Sequence, residues 1–124
     1  MLVYDTSALI EVIEGSPKGE NIVQNYGETI VTTTTITAHE LFAGAITEKE
    51  KMIMKIMLQN FTILPFDLDA AMKSAELEQE LRKEKKKVND ADLFIAAICI
   101  QNRAKLITCD KGFTKIKALN YKLF

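Results

Sequence analysis

Residues 90–100, "DADLFIAAICI", have the length of a helix and carry apolar side chains almost all the way round it. Such a helix has no face to give to solvent. It must be covered over most of its surface, as happens when it packs across a sheet and against other helices. The flanking sequence supplies the sheet. Leu2 to Tyr4 reads as a short buried strand, Lys105 to Thr108 as another, and "YKLF" at the end as a possible further one. Between them, strand signals alternate with helical periodicity.

Ser7 to Glu14 has helical spacing (Leu9, Ile10, Ile13) and stops at Gly15-Ser16-Pro17. A helix over Lys18 to Tyr26 ends at Gly27, and Thr29 to Thr32 supplies a β-branched second strand. Thr37 to Ile46 and Glu48 to Asn60 read as helices, and Phe61 to Leu64 as a third strand terminated by Pro65. Asp67 caps a long amphipathic helix that runs into "LRKEKKK", and Asn89 caps the apolar helix, which reaches to about Arg103. Strands separated by helices imply an α/β fold: a layered α/β/α domain around a mostly parallel sheet of four or five strands with right-handed crossovers. The 124 residues, 48% hydrophobic with two prolines, suit one domain over residues 1–124, since two would each be too small.

The formal net charge is −1, so no global positive field marks a nucleic-acid binder, and a polyanion would have to be met by a local patch or a metal. Cys99 and Cys109 belong to no CxxC and no zinc-spaced Cys/His group. They read as free thiols in a reducing compartment. No apolar run approaches the roughly 20 residues of a membrane span, and the N-terminus lacks a basic region followed by a long apolar segment. A soluble cytoplasmic protein with no membrane partner is the expectation.

In an open parallel sheet, ligands bind beyond the carboxyl ends of the strands. Asp5 follows the first strand and Asp110 follows "LITC" of the fourth, so both reach one edge if those strands are neighbours. Glu40 is expected in the first turn of the helix entered from strand two. Asp90 and Asp92 fall in the first turn of the apolar helix, whose N-terminus reaches the same edge if the helix runs antiparallel to strand four. Each acid has an ordinary explanation when taken singly. Asp5, Thr6 or Ser7 can cap the helix that follows. Thr37 and Glu40 fit a capping box. Asp90 and Asp92 suit the positive end of a helix, and Asp110 before "KGF" suits a turn. Four separate elements delivering carboxylates to one edge create mutual repulsion, and a hard divalent cation with oxygen ligands relieves it. Magnesium or manganese placed there suits phosphodiester hydrolysis.

"DTSALI" at the N-terminus, "AHELFAG" around Glu40, "DADLFIAA" around Asp92 and "LITCD" ending at Asp110 together resemble the PIN-domain ribonucleases, particularly the VapC-type toxins of toxin–antitoxin pairs. The resemblance spans nearly the whole chain. It implies a Mg²⁺- or Mn²⁺-dependent endoribonuclease, with an RNA substrate, a cognate antitoxin protein and a homodimeric state. Carried over residue by residue, it implies Asp5, Glu40, Asp92 and Asp110 as catalytic acids, with Asp5 and Asp92 as metal ligands. Ser7 and Thr108 then orient substrate or water; apart from what the family carries over, Thr6 and Asp90 are candidates to support the ligands from behind. Two departures qualify the match: Gly112 stands where the family often has an acid before the Phe, and Asp90 is an additional acid. Two residues from Asp92, Asp90 lies about 200° away round the helix, which favours capping or outer support over ligation by both.

His39, the only histidine, diverges from Glu40 by about 100° on a helix. "RKEKKK" at 82–87 is either a solvated basic helix end or a contact for RNA phosphates. Met52, Met54 and Met57 suit a core or an adaptable surface for a partner helix. A haloacid-dehalogenase-like phosphatase needs a second Asp two residues after the first, where Ser7 stands, and a receiver-type phosphoacceptor needs an acidic pair near the first strand's end. The remaining alternative is a PIN-like domain that binds RNA or protein without cleaving.

Overall fold

The computed structural model describes residues 1–27 and 30–124. Among these residues five short strands, β1 (Leu2–Tyr4), β2 (Thr32–Thr34), β3 (Thr62–Leu64), β4 (Lys105–Thr108) and β5 (Tyr121–Leu123), pair in parallel. They form two ladders, β1-β4-β5 and β2-β3. Where backbone pairing lapses between β1 and β2, the Thr33 hydroxyl donates to the Tyr4 carbonyl at 2.7 Å and keeps the two ladders side by side. The order is therefore β3-β2-β1-β4-β5. On one side of β1 the chain continues into β2 and β3, and on the other into β4 and β5. This reversal puts a topological switch point at the carboxyl end of β1, the place where open α/β sheets take ligands.

Among the described residues six α-helices accompany the strands: α1 (Thr6–Glu14), α2 (Pro17–Tyr26), α3 (Thr35–Gly44), α4 (Glu48–Gln59), α5 (Leu68–Lys83) and α6 (Asp90–Gln101). Side chains alternate across the two central strands, as pleating requires. Val3 and Leu106 face a core shared with Leu77 and Leu81 of α5, Leu93 and Ala96 of α6, and Phe113. Tyr4 and Ile107 face a second core with Leu9 of α1, Ile22 of α2, Leu41 of α3 and Leu58 of α4. The all-round apolar helix is covered as its composition demands: Leu93 and every residue from Ile95 to Cys99 are buried. Met54 and Met57 pack against the second core, as one of their two expected roles has it, while Met52 is exposed. Both cysteines are free thiols, and burial pushes that of Cys99 up to about 12. Among the described residues no helix is long and apolar enough to cross a membrane.

Most elements begin and end within two residues of their expected positions. The second strand does not, starting at Thr32 rather than Thr29; Thr29 itself lies outside the described residues. A β-branched run this long fits a strand at several registers, and the Thr33–Tyr4 bond selects one. The Thr34 side chain then accepts from Thr37 N at 3.1 Å and caps α3, which starts at Thr35. The capping box expected between Thr37 and Glu40 is absent for that reason, and Glu40 lies in the second turn instead of the first.

Candidate active site

The alternation that builds the two cores also builds the carboxyl edge. Tyr4 is in register with Ile107, so the next residues, Asp5 and Thr108, come together beyond the ladder on the face that carries Val3 and Leu106. Asp5 is only 3% exposed, and its carboxylate is held by donors. Thr108 Oγ1 donates to Oδ2 at 2.6 Å, Ala8 N donates to Oδ1 at 2.9 Å, and Ser7 Oγ stands 2.8 and 2.9 Å from the two oxygens. The bond from Ala8 N makes Asp5 the cap of α1 as well. Ser7 Oγ and Thr108 Oγ1 accept in turn from Cys109 N and Asp110 N, each at 3.0 Å, which ties the β1–α1 turn to the end of β4. Burial raises the pKa of Asp5; the bonds from Thr108, Ala8 and Ser7 oppose that rise, and Asp110 adds to it.

Asp110 caps the 3-10 helix Lys111–Lys115 through Gly112 N, at 2.8 Å. Asp92, in the first turn of α6, accepts from Asn89 Nδ2 at 3.0 Å. Its pKa is raised to about 6, first by burial, then by the charge of Asp110, with a smaller push from Asp5. Gly112 lies between the two carboxylates. A β-carbon there would stand 3.2 Å from both Asp110 Oδ1 and Asp92 Oδ2. The glycine that departs from the family pattern thus lets two acids approach each other.

Glu40 is held by a different hydroxyl. The Thr6 hydroxyl donates to its Oε1 at 2.6 Å and stands 3.2 Å from Thr37 Oγ1. Thr6 and Ser7, neighbours on α1, therefore serve different acids. Glu40 borders a cavity of about 340 Å³ between α1, α3 and α4, lined by Ile10, Ile13, Leu41, Ile53 and Met54 and rimmed by Glu14 and Glu50. Asp90 is exposed at the first residue of α6, and His39 is exposed beside Glu40.

The structure thus brings Asp5, Asp92 and Asp110 into electrostatic contact, sets Glu40 against Thr6, and leaves Asp90 at the rim. Ser7 and Thr108 donate to Asp5 while accepting from the backbone after β4. Sequence reasoning passed over the grip of Asn89 on Asp92 and the role of Gly112; the Asn-x-x-Asp spacing signalled the first, and only the approach of α6 to the 3-10 helix reveals the second. The side-chain atoms that Asp5, Asp92 and Asp110 could offer a cation are all oxygens. Among the described residues no three His, Cys, Asp or Glu side chains are gathered closely enough to hold a metal ion by themselves. Water would complete such a site, which suits Mg²⁺, an ion that keeps several waters and takes one or two carboxylates.

An α/β domain with acids at the topological switch point of a parallel sheet belongs to the class that takes its ligands beyond the carboxyl ends of the strands. A family model described as PIN domain matches residues 2–119, and the chain belongs to that family. It is 27% identical over 124 residues to Ribonuclease VapC1 of Methanocaldococcus jannaschii, covering 99% of this chain and 86% of that protein. The structure of FitAcB from Neisseria gonorrhoeae is similar, with a TM-score of 0.82 at 26% identity, covering 98% of this chain and 97% of that one. VapBC-1 from nontypeable Haemophilus influenzae shares the fold, with a TM-score of 0.83 at 22% identity and coverage of 98% and 96%.

Proposed function

We propose that the chain is a Mg²⁺- or Mn²⁺-dependent endoribonuclease of the VapC type, the toxin of a type II toxin–antitoxin pair. The observation that carries this reading is the convergence of Asp5, Asp92 and Asp110 at the carboxyl edge, where Gly112 leaves room for two acids to meet. Similarity to a relative named Ribonuclease VapC1 supports RNA as the substrate.

Asp92 and Asp110 would hold the cation, with Asp5 behind or beside them. When bound, the ion supplies positive charge for the scissile phosphate and lowers the pKa of a water. The chain's own residues do the positioning. Thr108, Ser7 and Ala8 N fix the plane of the Asp5 carboxylate, Asn89 fixes Asp92, and Gly112 N fixes Asp110. Glu40, held by Thr6, would supply a further carboxylate for the cation from the α3 side.

The partners are a cognate antitoxin, in keeping with neighbours solved as VapBC complexes, and a second copy of the chain. The groove between α1, α3 and α4, apolar with an acidic rim, suits an amphipathic segment of the antitoxin. Incubation with a panel of single-stranded RNAs tests the reading. Cleavage is expected with Mg²⁺ or Mn²⁺, none with chelator, and none by Asp5→Asn or Asp92→Asn despite native circular dichroism. Variants that cleave as fast as the parent would refute it. RNA binding without cleavage by the parent would make the chain a non-catalytic PIN-like domain. Glu40→Gln should also be inactive; since no capping box involves Glu40, retained activity would remove it from the site.

A further inference from the structure

We infer that the end of α5, the loop after it and the 3-10 helix form one lysine ridge that holds the phosphates of single-stranded RNA beside the acidic edge, an inference that rests on the ribonuclease reading above. Eight of the sixteen Lys and Arg residues fall in segments 82–87 and 111–117, which contain one acid, Glu84. The remainder of the chain has twice as many acids as bases. A net charge near zero therefore conceals a sharp segregation of sign, and it is the local field that a polyanion meets.

Two contacts join the segments. Glu84 pairs with Lys86 and with Lys117, each at 3.2 Å, and Lys115 Nζ donates to the Lys87 carbonyl at 3.1 Å. Glu84 is thereby used up as a clamp, held below the ordinary carboxylate range by Lys117 and then Lys86. Lys83, Lys85, Lys87 and Lys111 are exposed, and among the described residues none has an acidic partner. A helix C-terminus attracts cations through its dipole, which accounts for Arg82 and Lys83 in the last turn of α5. It does not account for Lys85 to Lys87, which lie beyond the helix, or for the lysines of residues 111–117, which lie on another element.

Both segments lead directly into the acidic edge. Lys87 is two residues from Asn89, which holds Asp92, and Lys111 follows Asp110. An RNA strand lying on the ridge would pass its next phosphates over the carboxylates. Lysine ammoniums read phosphate and not base, so the ridge sets position and leaves sequence choice to other surfaces.

The test compares Lys83, Lys85, Lys87 and Lys111 all changed to Gln with a charge-matched control in which Lys49, Lys55, Lys105 and Lys122 are changed to Gln. Binding of a labelled, cleavage-resistant 2′-O-methyl RNA is followed by anisotropy over a salt series, and circular dichroism checks folding. Each lost phosphate contact lowers the slope of log K against log salt by about 0.7 for a single strand, so the ridge variant should lose about 3 in slope and bind at least about tenfold more weakly near 0.1 M salt. The control should follow the parent. Equal weakening of both variants, or an unchanged ridge variant, overturns the inference. Tighter binding of polyglutamate than of RNA of matched charge, lost in the ridge variant, also overturns it and makes the ridge a surface for an acidic protein. A parallel assay of the parent on unmodified RNA with Mg²⁺ keeps the two readings separate. Cleavage with a ridge-independent slope removes the ridge alone, whereas a ridge-dependent slope without cleavage removes the nuclease alone.

Discussion

Asp5 and Asp92 reach the same edge, and burial is the first cause of a raised pKa in both, but their neighbours have opposite character. Asp5 is surrounded by donors: two hydroxyls and a backbone N–H point at its oxygens. Asp92 has one amide donor, from Asn89, and faces another acid, Asp110. The difference separates two uses of a carboxylate. A buried acid ringed by donors is part of the framework, because removing it orphans the groups that point at it. An acid pressed against another acid stores repulsion that a cation relieves.

Substitutions sharpen or break this contrast. The largest effect on stability is expected from Asp5→Ala, which removes the cap of α1 and leaves the buried Thr108 hydroxyl without its acceptor; a loss on the order of 2–3 kcal/mol follows, read by chemical denaturation. If Asp5→Ala is as stable as the parent, the donors around it hold nothing together. Thr108→Val deletes one donor to Asp5 and the acceptor of Asp110 N, and should cost about 1–2 kcal/mol.

Asp92→Asn has the opposite sign. The folded pKa of about 6 lies above the ordinary 3.8, so the unfolded chain releases this proton first. Stability from the protonated group is fully present below about pH 4, falls as pH rises toward 6, and is gone above it. Asp92 is half exposed, and solvent screening limits the effect to about 1 kcal/mol. Without metal at pH 7, Asp92→Asn should match or exceed the parent by that amount, and its melting temperature should fall less between pH 4 and pH 7. A clearly less stable variant would return Asp92 to a purely structural role. The smallest change belongs to Asp90→Asn, a few tenths of a kcal/mol through the α6 dipole, with RNA cleavage retained.

Much of this contrast can be read in the sequence. The Asp after β1, the Asp after β4 and the Asp opening an all-apolar helix are placed by strand and helix signals alone, because hydrophobic runs fix the elements that carry them. The partners of those acids are less legible. Adjacent hydroxyls in "DTS" give no sign that Ser7 turns to Asp5 and Thr6 to Glu40. The Thr-rich run at 32–35 suits strand and cap equally, so the start of α3, and with it the capping box, was set by the tertiary bond between Thr33 and Tyr4. Gly112 looks like a lost acid in the sequence. In three dimensions it is the space in which Asp92 and Asp110 meet.

Calorimetric titration of Mn²⁺ into the parent, Asp92→Asn, Asp110→Asn and Asp90→Asn near pH 6 tests the contrast most directly, because metal binding must displace the proton retained by Asp92. The parent should bind with proton release, seen as a heat that changes with the ionisation enthalpy of the buffer. Asp92→Asn should lose both the affinity and the proton release, Asp110→Asn should weaken binding, and Asp90→Asn should match the parent. A parent that takes up no Mn²⁺, or an Asp92→Asn variant that binds it with the same affinity and the same proton release, would contradict the assignment of this acid pair to a cation.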